Sequence, residues 1–135
     1  MLASCDSSTK KMFSMSAKTE ITIKITEVQV STGQEIHGRV ALNYPGRFDS
    51  VVINSQIENS NDIFNYTSLN GRKIHHPYAR LSIFKDDLGD TKTLEFTAIT
   101  THVPTTGVTN AKFRATIIQE HKEVASNIAY TKIVK

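Results

Sequence analysis

The chain has 135 residues and 15.0 kDa, with 39% hydrophobic residues, 21% charged residues and a formal charge of +3. That length suits one domain with a core of its own, and the composition excludes disorder of the whole chain. The single cysteine, Cys5, excludes an intrachain disulfide and suits a reducing compartment, so a cytoplasmic protein is expected.

The positive charge is unevenly placed. Residues 1–18 carry Lys10, Lys11 and Lys18 against Asp6, leaving 13 basic and 12 acidic groups in the other 117 residues. A nearly neutral domain lacks the basic stripe that phosphate-backbone binding uses, so no nucleic-acid partner is expected. No run approaches the ~20 apolar residues of a membrane span, so no transmembrane segment is expected. Leu2-Ala3-Ser4-Cys5 has the form of a bacterial lipobox. A lipobox follows charged and apolar segments, and only Met1 precedes it here, so we read a chance match unless the chain extends upstream. Residues 1–18 are Ser- and Lys-rich without periodicity and are expected to be a disordered tail.

From Thr19 to Val30 the chain reads as a strand, apolar at odd positions through Ile21, Ile23 and Ile25. Val28 and Val30 alternate in the opposite phase. A one-residue shift turns side chains to the other face, which predicts a bulge or bend near Thr26–Glu27. A turn at Ser31–Glu35 holds Gly33. The next strand, Ile36–Leu42, sets Ile36, Gly38, Val40 and Leu42 on one face. Tyr44-Pro45-Gly46-Arg47 predicts a type II turn with Gly46 at positive φ. Ser50–Ile57 follows as a strand with Val51, Ile53 and Ile57 inward.

Between Glu58 and Arg80 the pattern fades. Ile63–Tyr66 fits a short strand or a helical turn, and Asn70-Gly71 is a turn dipeptide. Strands resume at Leu81–Lys85, with a turn at Asp86–Asp90, then Thr93–Thr100, Lys112–Glu120, a hairpin turn at His121-Lys122-Glu123, and Val124–Val134. Seven or eight strands, no convincing helix and sandwich-like turn spacing predict an all-β, two-sheet antiparallel sandwich, with a small closed barrel as the alternative.

Thr32-Gly33-Gln34-Glu35-Ile36-His37-Gly38-Arg39-Val40 resembles the "P-G-E-x-V-x-G-x-V" turn and strand of arrestin-like domains, with Thr32 in place of the proline. The later order is also similar, with Leu94–Ala98, Val103-Pro104 and Lys112–Gln119 followed by a hairpin. The resemblance covers most of residues 19–135 and implies one immunoglobulin-like sandwich that binds other proteins. No counterpart of the arrestin polar core is present, and no receptor-binding motif carries over.

Chemistry-bearing motifs are sparse. His75-His76 puts neighbouring side chains on opposite faces of a strand, a poor metal pair. Asp86-Asp87-Leu88-Gly89-Asp90 lacks the spacing of a calcium loop. Asn65-Tyr66-Thr67 fits a glycosylation sequon, but without a signal peptide ahead of it no glycosylation is expected. No nucleophile elbow or phosphate loop occurs, so neither an enzyme nor a cofactor nor a metal is expected. The strongest candidate is Arg72-Lys73-Ile74-His75-His76-Pro77-Tyr78-Ala79-Arg80, because no acidic residue occurs between Asp62 and Asp86. Arg72, Lys73, His75, His76, Tyr78 and Arg80 are the expected binding residues. They would recognise a carboxylate, a phosphate or an anionic headgroup, or else pair with Asp62, Asp86 and Asp87. The expected function is an adaptor for a protein partner, with self-association through edge strands as a further mode. The alternative is a ligand-, carbohydrate- or headgroup-binding domain.

Overall fold

A computed structural model of the chain describes residues 20–135; the expected tail at 1–18 and the start of the first strand at Thr19 lie outside them. The described residues form ten strands and one helical turn. In chain order these are β1 (Ile21–Ile25), β2 (Gln29–Ser31), β3 (Ile36–Leu42), β4 (Ser50–Ile57), β5 (Asn65–Leu69), β6 (Arg72–Tyr78), β7 (Arg80–Phe84), α1 (Lys85–Leu88), β8 (Thr93–Ile99), β9 (Val108–Gln119) and β10 (Lys122–Val134). They make two five-stranded sheets, ordered β2-β10-β9-β4-β7 and β1-β3-β8-β5-β6. All pairs are antiparallel except β2 with β10. The expected sandwich forms, with more strands than the seven or eight anticipated.

The phase change in the first segment has a larger consequence than a bulge. After β1 pairs with β3, the chain bends through Thr26–Val28 and crosses to the other sheet, where β2 runs parallel to β10. What read as one strand is therefore two. Thr131 Oγ1 donates to the Glu27 carbonyl at 2.8 Å and Lys132 N–H to the Val28 carbonyl at 3.2 Å, pinning the crossover. His37 N–H donates to Glu27 Oε1 at 2.7 Å, and its ring Nδ1 lies 2.6 Å from Oε2. Burial pushes the Glu27 carboxyl up, but the hydrogen bonds to His37 outweigh it and hold the group below the usual carboxylate range.

Alternation fills the core from both sheets. Ile21, Ile36, Val40, Leu94 and Phe96 from one sheet meet Val51, Ile53, Phe113, Ile117 and Ile133 from the other, all essentially inaccessible. At the centre, the Phe113 ring lies 4.8 Å from Phe64, 5.8 Å from Phe96 and 6.4 Å from Tyr66 between centroids. The tilted and edge-on arrangements are those that aromatic quadrupoles favour. Burial pushes the Tyr66 phenol up, and its hydroxyl has no hydrogen-bond partner among the described residues. Gly38 lies opposite Phe96 in the β3–β8 ladder, and a Cβ there would stand 2.1 Å from the Phe96 ring.

Three turns depart from expectation. Gly46 lies outside the left-handed region; its small size instead serves Tyr44, whose ring would sit 2.9 Å from an added Cβ. Asp86 and Asp87 lie within the short helical turn α1, which begins at Lys85 and is capped by Gly89 (φ +59°). The last hairpin turns one residue earlier than expected. Gln119 pairs with Lys122, and the two turn residues, Glu120 (φ +50°) and His121 (φ +66°), both adopt the left-handed conformation. That conformation costs an L-residue with a Cβ roughly 1–2 kcal/mol, and Asn-Gly suits such a turn. Replacing Glu120→Asn together with His121→Gly is expected to stabilise the protein by about 1–2 kcal/mol, read as a higher denaturation midpoint; an unchanged or lower midpoint would rule this strain out.

Candidate functional site

The weakly patterned segment folds as a hairpin. Asn70 (φ +50°) and Gly71 (φ +83°) form its two-residue turn, so the dipeptide read from the sequence does join two strands. β5 escaped recognition because Asn65-Tyr66-Thr67-Ser68-Leu69 is polar at most positions and only Tyr66 is fully buried.

Register in this hairpin is irregular. Lys73 pairs with Ser68 and Tyr78 with Tyr66, so Ile74, His75, His76 and Pro77 together face the single residue Thr67. β6 lies at the end of its sheet and carries this four-residue bulge along its middle. Arg72, Lys73, His75 and His76 are exposed and Tyr78 is half exposed, with the His76 and Tyr78 rings edge-on at 6.0 Å.

Five of the six expected binding residues thus share β6, but Arg80 does not join them. The chain crosses at Ala79, and Arg80 opens β7 in the other sheet, where it pairs with Asn54 of β4. The bland alternative, pairing with Asp62, Asp86 and Asp87, is also not realised. Among the described residues the ion pairs are His37–Glu27, His102–Asp62 and Arg114–Glu123.

A cluster that sequence reading missed gathers Ser60, Asp62 and His102. The His102 ring Nδ1 lies 2.7 Å from Asp62 Oδ2 and 3.4 Å from Ser60 Oγ, while Ser60 Oγ accepts the Asp62 N–H at 2.9 Å. The hydrogen bond with His102 holds the Asp62 carboxyl below its ordinary range. A nucleophilic triad needs serine on one ring nitrogen and aspartate on the other. Here both approach Nδ1, so the cluster cannot relay a proton from Ser60. Its role is to fasten the β4–β5 connection to the β8–β9 connection, helped by Thr100 Oγ1 donating to the Ile63 carbonyl at 3.0 Å. Forty residues separate Asp62 from His102, and no local signal in the sequence joins them.

The outer face of the β2-β10-β9-β4-β7 sheet holds two further concave features. One groove of about 620 Å³ runs past Val28, Gln56, Asn110, Lys112, Tyr130 and Lys132. A second, of about 340 Å³, is lined by Asn54, Gln56, Arg80, Lys112, Arg114 and Ile128 among others. Val28 and Tyr130 are 80% and 68% exposed. No group of three metal-ligating side chains occurs among the described residues, and none of their helices is long and apolar enough to cross a membrane.

No protein-family model and no curated protein matches this sequence. Solved structures do. The bacterial hydrophobin BslA superposes with a TM-score of 0.52 at 12% identity, over 86% of this chain and 95% of that one. A human F-spondin reeler domain gives 0.50 at 12% identity, over 87% and 88% of the two chains. The enterotoxigenic E. coli CFA/I adhesin CfaE gives 0.50 at 12% identity, over 84% of this chain and 48% of its own. The fold is an immunoglobulin-like β-sandwich. At such identities the likeness extends to the fold alone, and the site must be argued from its own side chains.

Proposed function

We propose that the chain is an arrestin-like sandwich serving as a non-catalytic protein-interaction module, and that β6 is its recognition edge. The observation that carries this reading is the bulge at Ile74–Pro77. Bulges bend a strand and re-aim side chains, and they gather at sheet edges and beside functional sites. This one turns His75 and His76 outward between Arg72-Lys73 and Tyr78, in a stretch without a carboxylate. Lysine, proline and bulges also protect sheet edges from unwanted pairing; the added aromatic and histidine content favours recognition of an acidic partner surface. The arrestin-like part of the reading rests on the turn at Gly33 and on Gly38 and Val40, which lie in β3 as the motif requires.

The test compares partner recovery by the wild-type chain and by Arg72→Glu/Lys73→Glu, with circular dichroism confirming that both fold. Recovery is expected to fall by about tenfold or more, since two charge-assisted contacts become repulsive. Arg80→Glu, lying in the other sheet, should recover the partner as wild type does. Undiminished recovery by the double variant would overturn the assignment of β6.

A further inference from the structure

The outer face of the β2-β10-β9-β4-β7 sheet carries an arrangement separate from β6. Register places Arg80, Asn54, Arg114 and Ile128 in one row across β7, β4, β9 and β10. Gln56, Lys112 and Tyr130 form the next row. Neighbouring strands lie ~4.8 Å apart and alternate residues ~7 Å apart, so Arg80, Lys112 and Arg114 surround Asn54 and Gln56 within about two strand widths. The two grooves on this face adjoin at Gln56 and Lys112, which line both.

Its charges are poorly matched internally. Glu123 is engaged by Arg114, and Glu58 accepts from the Asn110 amide at 3.3 Å. Arg80, Lys112 and Lys132 have no carboxylate within 4.0 Å among the described residues, and Arg114 Nε, although buried, has no hydrogen-bond partner among them. Tyr130 stands opposite Lys112 with its ring largely exposed.

From this we infer that the face binds an acidic oligosaccharide, with Arg80 and Lys112 taking its carboxylate or sulfate groups and Tyr130 stacking on a sugar ring. Planar amides both donate and accept, so Asn54 and Gln56 suit a ligand rich in hydroxyls. Guanidinium groups match planar acids in two-pronged fashion. The Tyr130 ring supplies an apolar platform with a polar rim. A peptide is the poorer occupant. The main-chain groups of β4 and β9 are consumed by ladders on both sides, leaving none to extend a peptide backbone laid across them.

Affinity electrophoresis and calorimetry on the full chain would test this with polygalacturonate, dextran sulfate, neutral dextran and poly-L-glutamate. Binding is expected to one or both acidic polysaccharides and not to dextran, weakening as salt rises. Which acidic polymer binds identifies carboxylate or sulfate as the recognised group. Arg80→Ser/Lys112→Ser is expected to weaken binding by about tenfold or more. Tyr130→Ala should weaken it without changing the charge, and both variants should melt with wild-type cooperativity. Arg72→Glu/Lys73→Glu should bind as wild type, so failure of the β6 reading and failure of this one are told apart. The inference is overturned by binding to neither acidic polysaccharide, by full binding of the double serine variant, or by equal binding of poly-L-glutamate, which would assign the face to acidic peptides.

Discussion

Phe113→Ala is expected to destabilise the sandwich by about 3–5 kcal/mol, the usual cost of emptying a fully buried phenylalanine site. Phe113 is fully buried, and its ring touches those of Phe64, Phe96 and Tyr66, which come from a connection, β8 and β5. Truncation would leave three rings facing one void, and neither sheet can close over it without breaking ladder register. Against a typical domain stability of about 5–15 kcal/mol, such a loss leaves a protein near the edge of folding. Urea denaturation measures it directly. Phe84→Ala is the control, because Phe84 is 60% exposed and should shift stability by no more than about 0.5 kcal/mol. Similar losses for the two variants would disprove the central role of Phe113.

Gly38→Ala is expected to cost about 1–3 kcal/mol through overpacking, although alanine ordinarily suits a strand no worse than glycine. The reason lies across the β3–β8 ladder, where the Phe96 ring occupies the space a Cβ would need, with an approach of 2.1 Å. The expected signature is a coupling. In a Phe96→Leu background the same alanine should cost markedly less, since the obstructing ring edge is gone, and a double-mutant cycle isolates that difference. Additive losses would mean that the glycine serves some other purpose. Gly33 is the contrasting case: a Cβ there meets nothing within 4 Å, and its φ of +86° makes backbone conformation its whole requirement.

These two glycines also mark how far the resemblance to arrestin-like motifs reaches. Both sit in the turn and strand that the sequence identified, and each has a physical cause that any sandwich of this geometry would share. They belong to the scaffold. The surfaces proposed to recognise partners lie elsewhere, on β6 and on the outer face of β4, β7, β9 and β10.

Local pattern by itself determined the strands that bury one face. Ile36–Leu42 alternates cleanly because every second side chain must leave water, while Ser50–Ile57 buries Val51, Ile53 and Ile57 as read and adds Ser50 and Val52 on its other face. The change of inward parity between Ile23 and Val30 was legible for the same reason, since a chain that changes it must bend, although Val28, read in phase with Val30, is 80% exposed. What parity cannot specify is the strand on the other side. That β2 joins β10 in the opposite sheet depends on contacts more than one hundred residues away in sequence. β5 was obscured because its polar residues are satisfied by tertiary partners: Thr67 Oγ1 donates to Glu35 at 2.8 Å, and Ser68 Oγ lies 2.6 Å from Thr97 Oγ1.

The candidate sites divide in the same way. Arg72, Lys73, His75, His76 and Tyr78 could be gathered from the sequence because they share one short strand. Arg80 was grouped with them by proximity along the chain, and the crossover at Ala79 carried it to a different sheet. Its new neighbours, Asn54, Lys112 and Arg114, come from strands whose adjacency is set by ladder register, a property of paired backbones. Composition and alternation determined that this chain builds two packed sheets. Only the pairing of those strands decided which charges meet, because side chains far apart in sequence become neighbours only when the backbone hydrogen bonds between their strands close.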